Sequence, residues 1–213
     1  MVKVITLDRE YGTGGADIAK KLAERLGWKL WDQALTNEVA KLAKCHPAEV
    51  ESREERRDPL SHRLFKSFVR GSFEGNIDTR PIEMLDADRI VALTRQIVKR
   101  AAKEGNCVIV GRGSAYHLQE CPDALHVFLY APAEEKVRRL KLTGKSREEA
   151  LQLIEHVDRD RAAFIKNYFG KDWPRPELFH VMLNSALGDD AVIENILHAV
   201  SVLEHRNAPA RAL

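Results

Sequence analysis

The chain alternates short apolar runs with longer stretches in which apolar residues recur every three or four positions. Val2–Leu7, Cys107–Val110, Leu125–Tyr130 and Leu178–Leu183 are such runs, and Trp28-Lys29-Leu30-Trp31 is a shorter aromatic one. Runs of this length predict strands buried on both faces. Between them lie helical patterns. Ile18, Ala19, Leu22, Ala23 and Leu26 share one face before Gly27, and Leu35, Val39, Leu42 and Ala43 follow Asp32. Ile90, Leu93, Ile97, Val98 and Ala101 run from Asp88 to Gly105, and Val137, Leu140 and Leu142 lead from Pro132 to Gly144. Ser146-Arg147-Glu148-Glu149 reads as a capping box ahead of Ala150, Leu153, Ile154 and Val157. Asp189 or Asp190 caps a last helix through Ile193, Ile196, Leu197 and Val200, and 206–213 reads as a frayed tail. Strands alternating with helices predict an α/β fold: a five-stranded parallel sheet covered on both faces. From Cys45 to about Asp86 the pattern loosens around Pro47, Pro59, Gly71, Gly75 and Pro81, which predicts an inserted subdomain of short helices.

A length of 213 residues fits one domain carrying such an insertion. The 34 basic and 32 acidic residues leave a net charge of +2, so bulk charge gives no argument for nucleic acid or a membrane surface. Arg53, Arg56, Arg57, Arg63 and Arg70 are interleaved with Glu51, Glu54 and Glu55, which argues against a nucleic-acid interface there. No apolar stretch is long enough to span a bilayer. Cys45, Cys107 and Cys121 have no metal-ligand spacing, and an odd count without a signal peptide predicts reduced thiols in a cytoplasmic protein.

The chemistry concentrates at strand ends. The first strand runs into Arg9-Glu10-Tyr11-Gly12-Thr13-Gly14-Gly15-Ala16-Asp17, and a helix starts at once. Strand, glycine-rich turn and helix form the layout that turns backbone N–H groups toward a phosphate. The match to G-x-x-x-x-G-K-[ST] is incomplete: Arg9 stands at the first Gly, Gly15 at the Lys and Ala16 at the Ser/Thr. Arg9 is a candidate replacement cation. Asp17 could stand near a metal or simply complement the helix dipole. Asp32 closes the second strand, either at a ligand edge or as an N-cap. Arg112 sits between Gly111 and Gly113 at the end of the third strand, where packing gives an arginine little reason to be. Arg138, Arg139, Arg159 and Arg161 lie on two successive helices that could close over the sheet as a lid, or form ion pairs on exposed helix faces.

Four stretches carry a family resemblance: Arg9-Glu10-Tyr11-Gly12-Thr13-Gly14-Gly15, Val110-Gly111-Arg112-Gly113, Asp158-Arg159-Asp160-Arg161, and Phe169-Gly170-Lys171-Asp172-Trp173 followed by Leu183-Asn184. In this order, over nearly the whole chain, they resemble the cytidylate-kinase-like proteins, relatives of the nucleoside monophosphate kinases. The resemblance implies a three-layer P-loop kinase fold with strand order 2-3-1-4-5, a helical acceptor-binding insertion at about 45–85 and a helical lid at about 137–173. The core is then 1–44, 86–136 and 174–205. It implies ATP and Mg²⁺ with a nucleoside monophosphate acceptor. Gly12 to Gly15, with Arg9, Tyr11 and Ala16 beside them, would hold the ATP phosphates. Arg112 resembles an acceptor-phosphate arginine, although Gly113 stands where the family's cytidylate kinases have Asp. Arg138 or Arg139 resembles the first lid arginine, and Asp160 with Arg159 and Arg161 the segment that binds the acceptor. Two readings follow. One is an ATP-dependent phosphotransferase acting on a nucleotide or similar small phosphate acceptor, favoured by the lid arginines. The other is a nucleotide-binding module without turnover, favoured by the absent lysine and hydroxyl.

Overall fold

The computed structural model describes residues 1–44 and 87–207, so the expected insertion and the last residues of the tail lie outside the described residues. Five strands make one parallel sheet in the order β2-β3-β1-β4-β5. They are β1 (Val4–Arg9), β2 (Lys29–Trp31), β3 (Cys107–Val110), β4 (Ala124–Tyr130) and β5 (Val181–Asn184). β1 is central, with Val4 opposite both Cys107 and Ala124. The helices are α1 (Gly15–Leu26), α2 (Gln33–Lys44), α3 (Ala87–Glu104), α4 (Ser114–His117), α5 (Ala133–Leu142), α6 (Arg147–Phe169) and α7 (Asp189–Asn207).

The period-2 alternation of the strands builds two cores. Ile5, Leu7, Val108 and Val110 face α1 and α7 through Ile18, Leu22, Ile193 and Ile196. Val4 and Ile109 face Trp31, Leu35, Ile90, Ile97 and Phe164 on the other side. Each fully buried aliphatic or aromatic side chain contributes about 1.5–3 kcal/mol, so burial on both faces commits the inner strands β1, β3 and β4 to their register.

The helix boundaries follow local chemistry. Gly27, at φ 65°, ends α1 in the left-handed conformation. The capping box at α6 is formed: Ser146 Oγ accepts from the Glu149 amide at 3.2 Å, and Glu149 Oε2 accepts from the Ser146 amide at 2.8 Å. Outside β3, the strand boundaries shift by one to three residues from the sequence reading, and two of the shifts bear on the site. β1 extends to Arg9, so Asp8 and Arg9 are strand residues and both are buried. Pro176–Leu178 forms a 3₁₀ turn and Phe179 packs on Phe128, which delays β5 to Val181. α5 packs beside the glycine loop, and the far end of α6 buries Phe164 and Ile165 in the main core.

Candidate active site

All carboxyl ends of the strands point one way, and β1 and β3 deliver Asp8, Arg9 and Arg112 to that edge. After Arg9 the chain turns through the glycine loop and enters α1, with Gly14 in the left-handed region at φ 74°. The amides that open a helix lack intrahelical acceptors, so those of Gly15, Ala16 and Asp17 start α1 available for an anion. The loop is braced from within and from outside. Thr13 Oγ1 donates to the Glu10 carbonyl at 2.8 Å, and Glu10 Oε2 accepts from Lys136 Nζ at 2.9 Å and from the Ala131 amide at 3.3 Å.

Arg9 is 5% exposed and its side chain runs across the loop. A Cβ on Gly15 would meet Arg9 Cγ at 2.8 Å, and one on Gly111 would collide with Arg9 Nη1. Burial pulls the Arg9 pKa down to about 10, with Arg161 repelling it and Asp32 and Asp8 attracting it. Arg112 is 7% exposed and burial takes its pKa to about 10 as well, opposed by Asp32. Both remain cationic at neutral pH. Arg112 donates to Thr36 Oγ1 and, at 3.4 Å, to the Asp32 carbonyl. Its own backbone is left-handed at φ 57°, between Gly111 at 60° and Gly113 at 67°, so three successive residues turn with reversed hand. Arg161 Nη1 reaches in from α6 and donates to the Arg9 carbonyl at 2.8 Å and to Asp158 Oδ1 at 3.1 Å. Arg9, Arg112 and Arg161 therefore converge beside the glycine loop.

The structure sorts the remaining candidates. Arg139 faces the loop: it donates to Glu135 Oε1 at 2.8 Å, Asp189 Oδ1 at 2.9 Å and the Ser185 carbonyl at 3.1 Å. Its Nη1 fills the space a Cβ on Gly14 would need. Arg138 points to solvent and pairs with Glu135, and Arg159 is exposed beside His156 and Glu155. Asp160 is two residues from Asp158 on α6, about 200° around the helix, so it does not share the face that touches the loop. Asp17 and Ala16 are exposed at the start of α1.

Several site residues had a weaker signal in the sequence. Asp158 Oδ1 accepts from the Tyr11 amide at 2.8 Å, placing a carboxylate on a loop N–H, and burial raises its pKa. The spacing of Asp158 and Arg161, three apart on one helix face, was the available clue. Lys136, three residues before Arg139, is buried against Gly12. Asp8 Oδ1 accepts from the Arg9 amide at 2.9 Å and its Oδ2 from Trp173 Nε1 at 3.0 Å. The glycine at 113 also finds its reason: a Cβ there would lie 2.7 Å from the Phe169 ring, which packs against Tyr116 and His117.

Among the described residues no group of three or more His, Cys, Asp or Glu side chains could hold a metal ion. Ala16 brings no oxygen to the place of the missing hydroxyl. Among the described residues no helix is long and apolar enough to cross a membrane.

The family model for the cytidylate kinase-like family matches residues 4–187. A cytidylate kinase of Pseudomonas fluorescens is 30% identical over 93% of this chain and 95% of its own length. An uncharacterized protein of Eubacterium ventriosum has a similar crystal structure, with a TM-score of 0.67 at 20% identity, over 95% of this chain and 99% of that one. A gluconokinase of Sinorhizobium meliloti shares the fold at a TM-score of 0.52 and 16% identity, over 96% and 94% of the two chains.

Proposed function

The chain belongs to the cytidylate kinase-like family, and from that premise we propose that it is an ATP-dependent phosphotransferase that moves the γ-phosphoryl group of Mg·ATP to a nucleoside monophosphate or a similar small phosphate acceptor. The observation that carries the reading is the convergence of Arg9, Arg112 and Arg161 beside the glycine loop, with Arg139 against Gly14. Phosphoryl transfer spreads negative charge over the oxygens of the moving group, and positioned cations in a water-poor site stabilise it. Buried guanidiniums held by carbonyls and carboxylates are already oriented and need little reorganisation.

Gly12 to Gly15 and the amides that open α1 receive the ATP phosphates. Arg9 and Arg139 stand in for the absent lysine, one from the strand and one from α5. Arg112, beside Asp32, receives the acceptor phosphate. Arg161 binds at the junction, and α5 and α6, about 137–173, form the cover. Mg²⁺ enters with the nucleotide as part of the substrate.

The second reading is a nucleotide-binding module without turnover, and Gly15 and Ala16 at the lysine and hydroxyl positions favour it. One experiment separates the two. Thermal shift with Mg·ATP and each nucleoside monophosphate reports binding by mass action, and a coupled assay follows ADP release. ADP formed only when both substrates are present supports the kinase. A shift with ATP and no ADP on any monophosphate supports the module, and no shift with any nucleotide overturns both.

A further inference from the structure

We propose that Asp189 is a positioning residue: it aims the Arg139 guanidinium at the glycine loop and so sets the affinity for the ATP phosphates. The inference rests on the reading above that Arg139 and the loop bind those phosphates.

Arg139 is held on three sides. Its Nε donates to Glu135 Oε1 at 2.8 Å, its Nη1 to Asp189 Oδ1 at 2.9 Å and its Nη2 to the Ser185 carbonyl at 3.1 Å. A guanidinium has five N–H donors, so one on each terminal nitrogen is left for a ligand. The three holds differ in direction. Glu135 lies one turn back on α5 and is shared with Arg138, which donates to it through Nε and Nη2. It steadies the arginine along its own helix. Asp189 starts α7 and Ser185 follows β5, so both pull the guanidinium off α5 and across the site. The nitrogen that Asp189 holds, Nη1, is the one that fills the space a Cβ on Gly14 would need.

The second oxygen of Asp189 is engaged as well. Oδ2 accepts from Lys21 Nζ at 2.9 Å, and Lys21 belongs to α1, the helix that the loop opens. The arginine is thereby referenced to the loop rather than to its own helix. The Asp189 and Arg139 side chains are 20% and 17% exposed, which shields their pair from the screening that weakens surface ion pairs. Burial alone would raise the Asp189 pKa, but the hydrogen bonds from Lys21 and Arg139 lower it further than burial raises it, so the carboxylate is ionised at neutral pH.

Charge and orientation make opposite claims here. Arg138, Arg139 and Lys21 are three cations against the two carboxylates Glu135 and Asp189, so the cluster is net positive. Removing the Asp189 charge makes it more positive, and by long-range attraction alone a phosphate would then bind more tightly. Orientation predicts the reverse. A guanidinium already fixed at the loop needs little reorganisation when the anion arrives, and one released from Asp189 has to be reordered.

The test uses the full chain. Calorimetry gives Kd for Mg·ATP, and steady-state kinetics with each nucleoside monophosphate gives kcat and both KM values. The proteins are wild type, Asp189→Asn, Asp189→Ser, Arg139→Ala, the double variant Asp189→Asn/Arg139→Ala, and Asp190→Asn as the exposed neighbour. The expected result is a Kd for Mg·ATP about 10-fold higher in Asp189→Asn and Asp189→Ser, with the acceptor KM and the whole of Asp190→Asn within about twofold of wild type. In the Arg139→Ala background the change at 189 adds nothing. Serine supplies the reading if the asparagine variant folds poorly, since both suit a helix start. ATP affinity equal to or tighter than wild type in the folded variants overturns the inference. A loss that persists undiminished in Arg139→Ala also overturns it, because Asp189 then only braces α7 against α1. ATP binding without ADP release on any monophosphate refutes the kinase reading while the affinities still decide Asp189, and a wild type that binds no Mg·ATP refutes both.

Discussion

Replacing Arg112 by methionine separates function from folding. The side chain is almost fully buried and burial moves its pKa from 12.5 to about 10. At roughly 1.4 kcal/mol per pKa unit, holding the charge there costs about 3.5 kcal/mol. Against this stand its hydrogen bonds to Thr36 Oγ1 and the Asp32 carbonyl, each contributing about 1.5–3 kcal/mol when a charge is involved. The residue at 112 keeps its left-handed backbone in either case, so that strain cancels. Methionine fills similar volume without a charge to desolvate, which offsets part of the cost of leaving Thr36 and the buried Asp32 carboxylate without their cationic neighbour. The expected net change is within about 2 kcal/mol, a Tm shift of no more than about 8 °C for a chain this size. Loss of a charged contact to phosphate lowers acceptor affinity by roughly 10- to 100-fold. Chemical denaturation and acceptor titration by calorimetry read the two quantities separately. A loss of more than about 4 kcal/mol in stability with unchanged affinity would falsify the assignment and make Arg112 a structural residue.

Three further outcomes follow from the geometry. Gly14→Ala introduces a Cβ at φ 74° where Arg139 Nη1 lies. It is expected to cost about 1–2 kcal/mol in backbone strain and to weaken Mg·ATP binding; calorimetry showing unchanged ATP affinity would remove Arg139 from the loop. Gly113→Asp drives a Cβ to within 2.7 Å of Phe169, so it destabilises, and Phe169→Ala restores part of the loss. Additive effects in that double-mutant cycle would show that the two sites do not touch. His126 and His117 are both pushed down to about 4, chiefly by burial. A histidine with a lowered folded pKa stabilises fully above its unfolded value, and the contribution falls as pH drops from about 6.5 toward 4. The loss at pH 5 is roughly 2 kcal/mol for each histidine, ahead of most carboxylate titration. Equal urea midpoints at pH 7 and pH 5 would contradict it.

The architecture was legible because it is written in short-range pattern. Continuous apolar runs marked the strands, Gly27 and Ser146 marked helix ends, and their alternation left few topologies. The site was legible in parts. Arg9 and Arg112 announced themselves as charged residues at the ends of buried strands. The choice between Arg138 and Arg139 was not legible, since it depends on the rotational phase of α5 against a loop 125 residues earlier. The same holds for Asp158 and Asp160, where neighbouring acids on one helix face opposite ways. The Trp173–Asp8 hydrogen bond joins residues 165 positions apart, and no local pattern encodes such a contact. Gly113 read as a departure from a family motif, and its cause is an aromatic ring 56 residues downstream that no spacing rule indicates.

The reversed turn at Gly111-Arg112-Gly113 sets two selections against each other. A side chain with a Cβ in that conformation carries a penalty of about 1–2 kcal/mol, and glycine relieves it. A library at position 112 screened only for resistance to heat or proteolysis will drift toward glycine and asparagine. The same library screened for the proposed phosphotransfer is expected to keep arginine and reject lysine, whose single ammonium cannot bridge the same acceptors. Where the two enrichment profiles part most sharply along the chain, the fold is holding a residue it would otherwise discard.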